Sequence, residues 1–169
     1  MSTDTDRIRT LIERWAEAVH RGDMAGVLAD HAEDIVMFDV PPPQEGVRGI
    51  DAYRETWPGF FAWQASGASF DILSLDVIAG DDVAFAYALL RCGTADQDPD
   101  VRLRITFGLR KENGRWVVAH EHHSFPDRSD PVDADAVDAD AVDADAVDAD
   151  AVRAVHDPAT RKAATDVRP

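Results

Sequence analysis

The sequence predicts an α+β domain in which helices pack on one side of a curved, mainly antiparallel sheet. Apolar residues recur at steps of three and four near the start of the chain, and after Gly67 they give way to short β-type runs separated by turn signals. A third observation is "VRLRITFG", where Val101, Leu103, Ile105 and Phe107 alternate with Arg102, Arg104 and Thr106, the period of a strand with one wet face.

Taken in order, Ile8, Leu11, Ile12, Trp15 and Val19 form the stripe of a first amphipathic helix, preceded by Thr and Asp residues that cap well and stopped at Gly22. "DMAGVLADH" opens on Asp23, a good N-cap, and predicts a second, short helix. "DIVMFDV" reads as a strand ended by the triple proline of "VPPPQEGVRG", which cannot donate to a ladder. "GIDAYRETWPGFFAWQ" restarts a helix at Asp51, and Pro58 is expected to break or kink it because the residue before a proline avoids α geometry. "SFDILSLDVIA" and "VAFAYALLRCG" meet through "GDD"; "VRLRITFGLR" and "RWVVAHEHHSF" meet through "KENG", whose Asn-Gly pair suits a tight hairpin.

The chain of 169 residues carries a net charge of −16 with pI near 4.5. With no basic stripe, neither nucleic acid nor an anionic membrane surface is an expected partner, since both are bound through Lys and Arg. No apolar run reaches membrane-spanning length and the acidic N-terminus lacks a signal pattern, so a cytoplasmic location is expected. The lone Cys92 fits a reducing compartment.

Residues 1–130 form the expected domain, and 131–169 a tail of another kind, with "DADAV" written four times from 133 to 152. Valines five apart turn by about 140° per step on a helix and change face at every step on a strand, so neither element gives them one apolar side. A disordered acidic tail is the expectation.

The ordered pieces "WAEAVHRGDMAGVLADHAEDIVMFDVP", "GVRGIDAYRETW" and "TFGLRKENGRWVVAHEHHS" resemble, over about residues 5–126, the superfamily that includes nuclear transport factor two, ketosteroid isomerase, scytalone dehydratase and the SnoaL-like polyketide cyclases. The resemblance implies a cone-shaped nuclear-transport-factor-two-like fold, with three N-terminal helices on the curved sheet. It also implies an apolar pocket lined from the first helix and the first and last strands, and a homodimer formed through the outer sheet surface.

Asp39, in "MFDVPPP", is similar in position to the general base of the isomerase, and desolvation beside an apolar pocket would strengthen such a base. Where that isomerase has its oxyanion-stabilising tyrosine this chain has Trp15, and its protonated carboxylic acid aligns near Thr106, so classical ketosteroid isomerisation is not expected. In "RWVVAHEHHSF", strand alternation places Trp116, Val118, His120, His122 and Ser124 on one face, with Glu121 and His123 on the other. His120 and His122 can then serve as an acid/base or substrate-orienting pair, as metal ligands, or as satisfied structural imidazoles. The superfamily seldom uses metal, so neither a metal nor an organic cofactor is expected. Arg102 and Arg104 either meet Glu121 on the next strand or solvate the outer sheet; comparable arginines of the kinase association domain in this superfamily reach the pocket. Tyr53, Trp57, Phe60, Phe61 and Trp63 are core and pocket lining.

The expected function is cofactor-independent proton transfer, of isomerase, cyclase or dehydratase type, on a small hydrophobic carbonyl-bearing molecule. Asp39 would be the base, His120 and His122 would orient or protonate, and Trp15, Tyr53, Trp57, Phe61, Arg104 and Thr106 would hold the substrate. The alternative is a non-catalytic ligand-binding or dimeric assembly module of the same fold.

Overall fold

The computed structural model describes residues 3–94 and 101–126. The repeat tail and its expected disorder therefore lie outside the described residues. Helix α1 (Asp4–Arg21) starts in a capping box: the Asp6 amide donates to the Thr3 hydroxyl at 3.2 Å, and the Thr3 amide donates back to the Asp6 carboxylate at 3.0 Å. It stops at Gly22, whose φ of +65° is cheap only for glycine. Asp23 caps α2 (Met24–Leu28) by accepting from the Gly26 amide.

Strand β1 (His31–Phe38) begins three residues before the segment that the sequence suggests, and a two-residue strand β2 (Val47–Arg48) pairs back on it after the proline loop. Helix α3 (Ile50–Gln64) runs unbroken through Pro58, contrary to expectation. Pro58 lies on the exposed side, so water can satisfy the carbonyl it leaves unpaired, while buried Tyr53 and Trp57 hold the helix to the core. Strands β3 (Ser69–Ala79), β4 (Val83–Gly93), β5 (Leu103–Glu112) and β6 (Arg115–Ser124) form the antiparallel meander. Asn113 and Gly114, both at positive φ, make the tight β5–β6 turn.

The sheet corrects the expected cone. Its order is β2-β1-β6-β5-β4-β3, and β1 joins β6 in parallel, so the sheet is mixed. It is open at β2 and β3 and neither closed nor strongly curled. A two-residue edge strand at one end offers too little ladder to pair with the far edge. Two helices precede β1 and the third follows it, the order the sequence suggests, with β2 between β1 and α3.

The core lies between the helices and the inner sheet face. Trp15 of α1 makes edge-on contacts with Phe70 of β3, Phe107 of β5 and Trp57 of α3, at 5.6, 5.4 and 6.0 Å between centroids. Between β3 and β5, strand β4 turns Ala84, Ala86, Ala88, Leu90 and Cys92 inward, and the three alanines leave room for that indole.

Candidate functional site

One register shift decides which chemistry faces inward. Across the β5–β6 hairpin Leu109 pairs with Val118 but Gly108 pairs with His120, leaving Ala119 as an extra residue, a β-bulge. Before it Trp116 and Val118 point into the core; after it Glu121 and His123 do. The expected assignment of faces therefore reverses beyond residue 119. Gly108 permits this, since a Cβ there would lie 3.2 Å from the His120 Cβ.

The expelled histidines sit on the other face. His120 Nδ1 donates to the Val36 carbonyl at 2.9 Å, fastening β6 to β1, and its ring meets Phe38 edge-on. His122 is exposed beside Phe38. Thr106, opposite His122 in the register, and the exposed Arg104 share that side.

Inside, the two carboxylates and two imidazoles of Asp39, His123, Glu121 and His31 form a chain. His123 Nδ1 lies 3.1 Å from Asp39 Oδ1 and its Nε2 3.2 Å from Glu121 Oε2. The other oxygen of Glu121 accepts from His31 Nε2 at 2.8 Å and from the Tyr53 hydroxyl at 3.0 Å. The Tyr53 oxygen accepts in turn from Trp15 Nε1 at 3.2 Å. Glu121 is thus not a partner of Arg104.

Electrostatics follow from this geometry. Burial pushes the Glu121 carboxyl up, but hydrogen bonds from His123 and His31 outweigh it and hold the group at about 2. Burial would lower His123, yet its hydrogen bonds to Asp39 and Glu121, with the charges of both, raise it to about 9. Tyr53 is driven well above its ordinary value of 10.0, first by burial and then by the Glu121 charge. The interior therefore holds an imidazolium between two carboxylates, with a neutral phenol as the third donor to Glu121.

Asp39 and His123 form the polar end of a cavity of about 300 Å³. Its walls are Trp57, Phe60 and Trp63 of α3, Phe70 of β3, Cys92 of β4, Leu103 of β5 and Phe125, with Thr56 and the Val40–Pro41 segment at the side. Asp39 is half-buried; Oδ1 is taken by His123 and by the Val40 amide, and Oδ2 has no hydrogen-bond partner among the described residues. The Thr56 hydroxyl is spent on the Tyr53 carbonyl at 2.8 Å. Burial, and then the Asp39 charge, raise the Cys92 thiol to about 11.

Of the residues singled out from sequence, Asp39, Trp57, Phe60 and Trp63 line this cavity. Trp15 and Tyr53 lie behind it in the buried network, and Phe61 packs on Trp57 with ring centroids 5.7 Å apart, outside the lining. His120, His122, Arg104 and Thr106 do not reach it. Sequence reasoning did not give a site role to His123, which lines the cavity, or to Glu121 and His31, which lie behind it in the buried network. Gly108 inside an otherwise regular strand was the available signal, because an isolated strand glycine marks a bulge or a close backbone approach. Among the described residues no group of three or more His, Cys, Asp or Glu side chains is arranged to hold a metal ion. No described helix is long and apolar enough to cross a membrane.

Comparison with known proteins gives a consistent result. A family model described as SnoaL-like domain matches residues 8–128. An NTF2-like protein of unknown function from Pseudomonas putida KT2440 is 37% identical, with a TM-score of 0.66 over 72% of this chain and 86% of its own. An NTF2-like protein with a cystatin-like fold from Novosphingobium aromaticivorans, 20% identical, superposes with a TM-score of 0.62 over 75% of this chain and 84% of its own. A ketosteroid isomerase candidate from Parabacteroides distasonis ATCC 8503, 18% identical, gives 0.59 over 76% and 92%. At such identities these last two likenesses concern the fold alone. No curated protein matches the chain.

Proposed function

The chain belongs to the SnoaL-like family of the NTF2-like superfamily, and from that premise we propose that it is a cofactor-independent enzyme of proton transfer acting on a small hydrophobic carbonyl compound. The observation that carries this reading is Asp39 Oδ2, a carboxylate oxygen at the wall of an aromatic cavity with no hydrogen-bond partner among the described residues. The site roles expected from sequence are revised accordingly. Asp39 remains the base, His123 takes the place of His120 and His122 behind it, and the α3 aromatics with Phe70 and Phe125 hold the substrate.

In the proposed step Asp39 Oδ2 takes a proton from a carbon next to the substrate carbonyl. The C–H electron pair moves into a new C=C bond, and the carbonyl oxygen takes up the negative charge. The Asp39 acid then returns the proton to another carbon, completing an isomerisation, or gives it to a departing hydroxyl in a dehydration. The His123 imidazolium holds Oδ1 throughout and leaves Oδ2 as the reactive acceptor. The Thr56 hydroxyl is already donated, which leaves the enolate oxygen neutral donors such as the indole N–H of Trp57, without a partner among the described residues, in place of a protonated acid. Substrates whose anion is spread over conjugated carbonyls are therefore favoured. That same shortage favours the second reading, a module that binds such molecules without transforming them.

A homodimer is part of the proposal. Strand β4 turns Val83, Phe85, Tyr87 and Leu89 outward, with exposures of 65%, 46%, 45% and 42%. A contiguous apolar stripe of this kind suits a self-complementary interface. A cytoplasmic location fits the single, unpaired Cys92.

The deciding experiment has two stages. Enones and aryl ketones are first screened for thermal stabilisation of the protein. Binders are then incubated in D2O with protein and followed by NMR for deuterium entry next to the carbonyl. Catalysed exchange that disappears in Asp39→Asn supports the enzyme. Tight binding with exchange no faster than in buffer leaves the binding module.

A further inference from the structure

Glu121 lines neither the aromatic cavity nor a second cavity of about 300 Å³ beneath α1 and α2, which His31 and Trp15 border. Its side chain is fully buried, and its three hydrogen-bond partners are His31, Tyr53 and His123, the last of which reaches the proposed base, Asp39. A buried carboxylate needs donors, and here three of them come from β1, α3 and β6.

We infer that Glu121 is a positioning residue of the site: by accepting from His123 Nε2 it keeps that nitrogen protonated, so that His123 meets Asp39 as a cation and Oδ2 alone is left to react. The inference rests on Asp39 being the base, and it goes beyond that reading by assigning the control of Asp39 to a residue that no substrate touches. The geometry is selective. An imidazole between two carboxylates satisfies both only when both ring nitrogens carry protons. The titratable groups facing His123 are Asp39 at the end of β1 and Glu121 on its own strand. Glu121 faces His31 and Tyr53 as well, and the Cys92 thiol stands across the cavity.

His31 supports the same assignment from the other side. Its Nε2 is turned to Glu121, while its Nδ1 is buried with no hydrogen-bond partner among the described residues. The imidazole thus gives up one hydrogen bond in order to donate to this carboxylate.

Glu121→Gln keeps the shape and removes the charge. With the amide oxygen still accepting from Tyr53 and His31, the amide nitrogen faces His123 Nε2, which then has to drop its proton and accept. The test is an NMR titration of the His123 ring nitrogens in the full chain, wild type and Glu121→Gln, with the pH profile of Asp39-dependent exchange beside it. In wild type both ring nitrogens are expected to be protonated at neutral pH. In the variant the His123 midpoint is expected to fall by more than about one pH unit, and the exchange profile to move up in pH as Asp39 loses its cationic neighbour. A folded variant whose His123 titrates as in wild type overturns the inference, because a purely structural Glu121 would lower the melting temperature and leave that titration in place. If Glu121→Gln does not fold, wild type decides, and a neutral His123 at pH 7 overturns it. Absence of exchange in wild type would count against Asp39 as base, whereas the titration reads the Glu121 assignment by itself.

Discussion

His123 Nδ1 lies 3.1 Å from Asp39 Oδ1, joining two residues 84 positions apart at the wall of the aromatic cavity. The contact exists because β1 and β6 run side by side in parallel, with Phe38 opposite His122, so both chains leave the sheet at the same end. Asp39→Asn retains an acceptor for the Val40 amide but no longer has a basic oxygen. Deuterium exchange into a bound ketone is expected to fall at least about a hundredfold, the usual worth of a positioned general base. Binding measured by thermal shift should change little. A variant that exchanges at the wild-type rate would remove Asp39 from the chemistry.

Stability should depend on pH from both ends of the network. Glu121 stands at about 2 in the fold against an ordinary 4.5, so its contribution is present above 4.5 and is lost as pH falls toward 2. His123 stands at about 9 against 6.5, so its contribution is complete below 6.5 and is lost as pH rises toward 9. A plateau between these limits is expected, with losses of the order of a few kcal/mol on each side. Urea unfolding across the range checks this, and Glu121→Gln should flatten the alkaline limb.

The bulge can be tested by deleting Ala119. With Val118 then followed directly by His120, plain alternation keeps Trp116, Val118, Glu121 and His123 on the inner face and His120 and His122 on the outer one, and the pairs Leu109–Val118 and Gly108–His120 need no extra residue between them. The deletion variant is expected to unfold cooperatively, destabilised by no more than about 3 kcal/mol in urea titration, with both His123 ring nitrogens still protonated at neutral pH by NMR. Loss of cooperative unfolding, or a neutral His123, would mean that Ala119 is not the residue that reverses the faces.

How far the sequence revealed this architecture depended on the range of each signal. The α1 stripe from Ile8 to Val19, its Gly22 stop and the Asn113–Gly114 turn are local, and each formed where it was read. Asp39 was legible through its position before the prolines. Glu121 and His123 were not, because "VVAHEHHS" fits either face equally well and no residue of it marks where the bulge reverses the alternation. Its trace lay in Gly108 on the partner strand, which only the pairing turns into information. His31 depended on a contact across 90 positions, and no local pattern specifies that. Pro58 misled for the opposite reason: a local rule gave way to the burial of Tyr53 and Trp57.

The outer face of β4 offers a separate test. Phe85 and Tyr87 stand two apart with ring centroids separated by 5.9 Å, exposed at the middle of the apolar stripe. Phe85→Glu together with Tyr87→Glu adds charge to a chain already at −16, so like-charge repulsion would oppose any pairing through this face. Sedimentation should show dimer for wild type and monomer for the variant, while ligand binding in the cavity on the inner face persists. A wild-type monomer at working concentration would remove the homodimer from the proposal.

Cys92 reports directly on the cavity. Its thiol lines the wall and is raised to about 11, by burial first and by the Asp39 charge second. Since the thiolate is the reacting form, alkylation by iodoacetamide at pH 7.5 should be slower than for an ordinary exposed cysteine by about two orders of magnitude. Asp39→Asn removes one of the two causes and should speed the reaction, whereas the raised pKa due to burial should remain. An apolar ligand seated among Trp57, Phe60 and Phe70 would cover the sulfur, so protection should follow the same ligand concentration as the thermal shift. Thermal stabilisation without protection of Cys92 would place the ligand elsewhere on the protein, and the aromatic cavity would lose its role as the binding site.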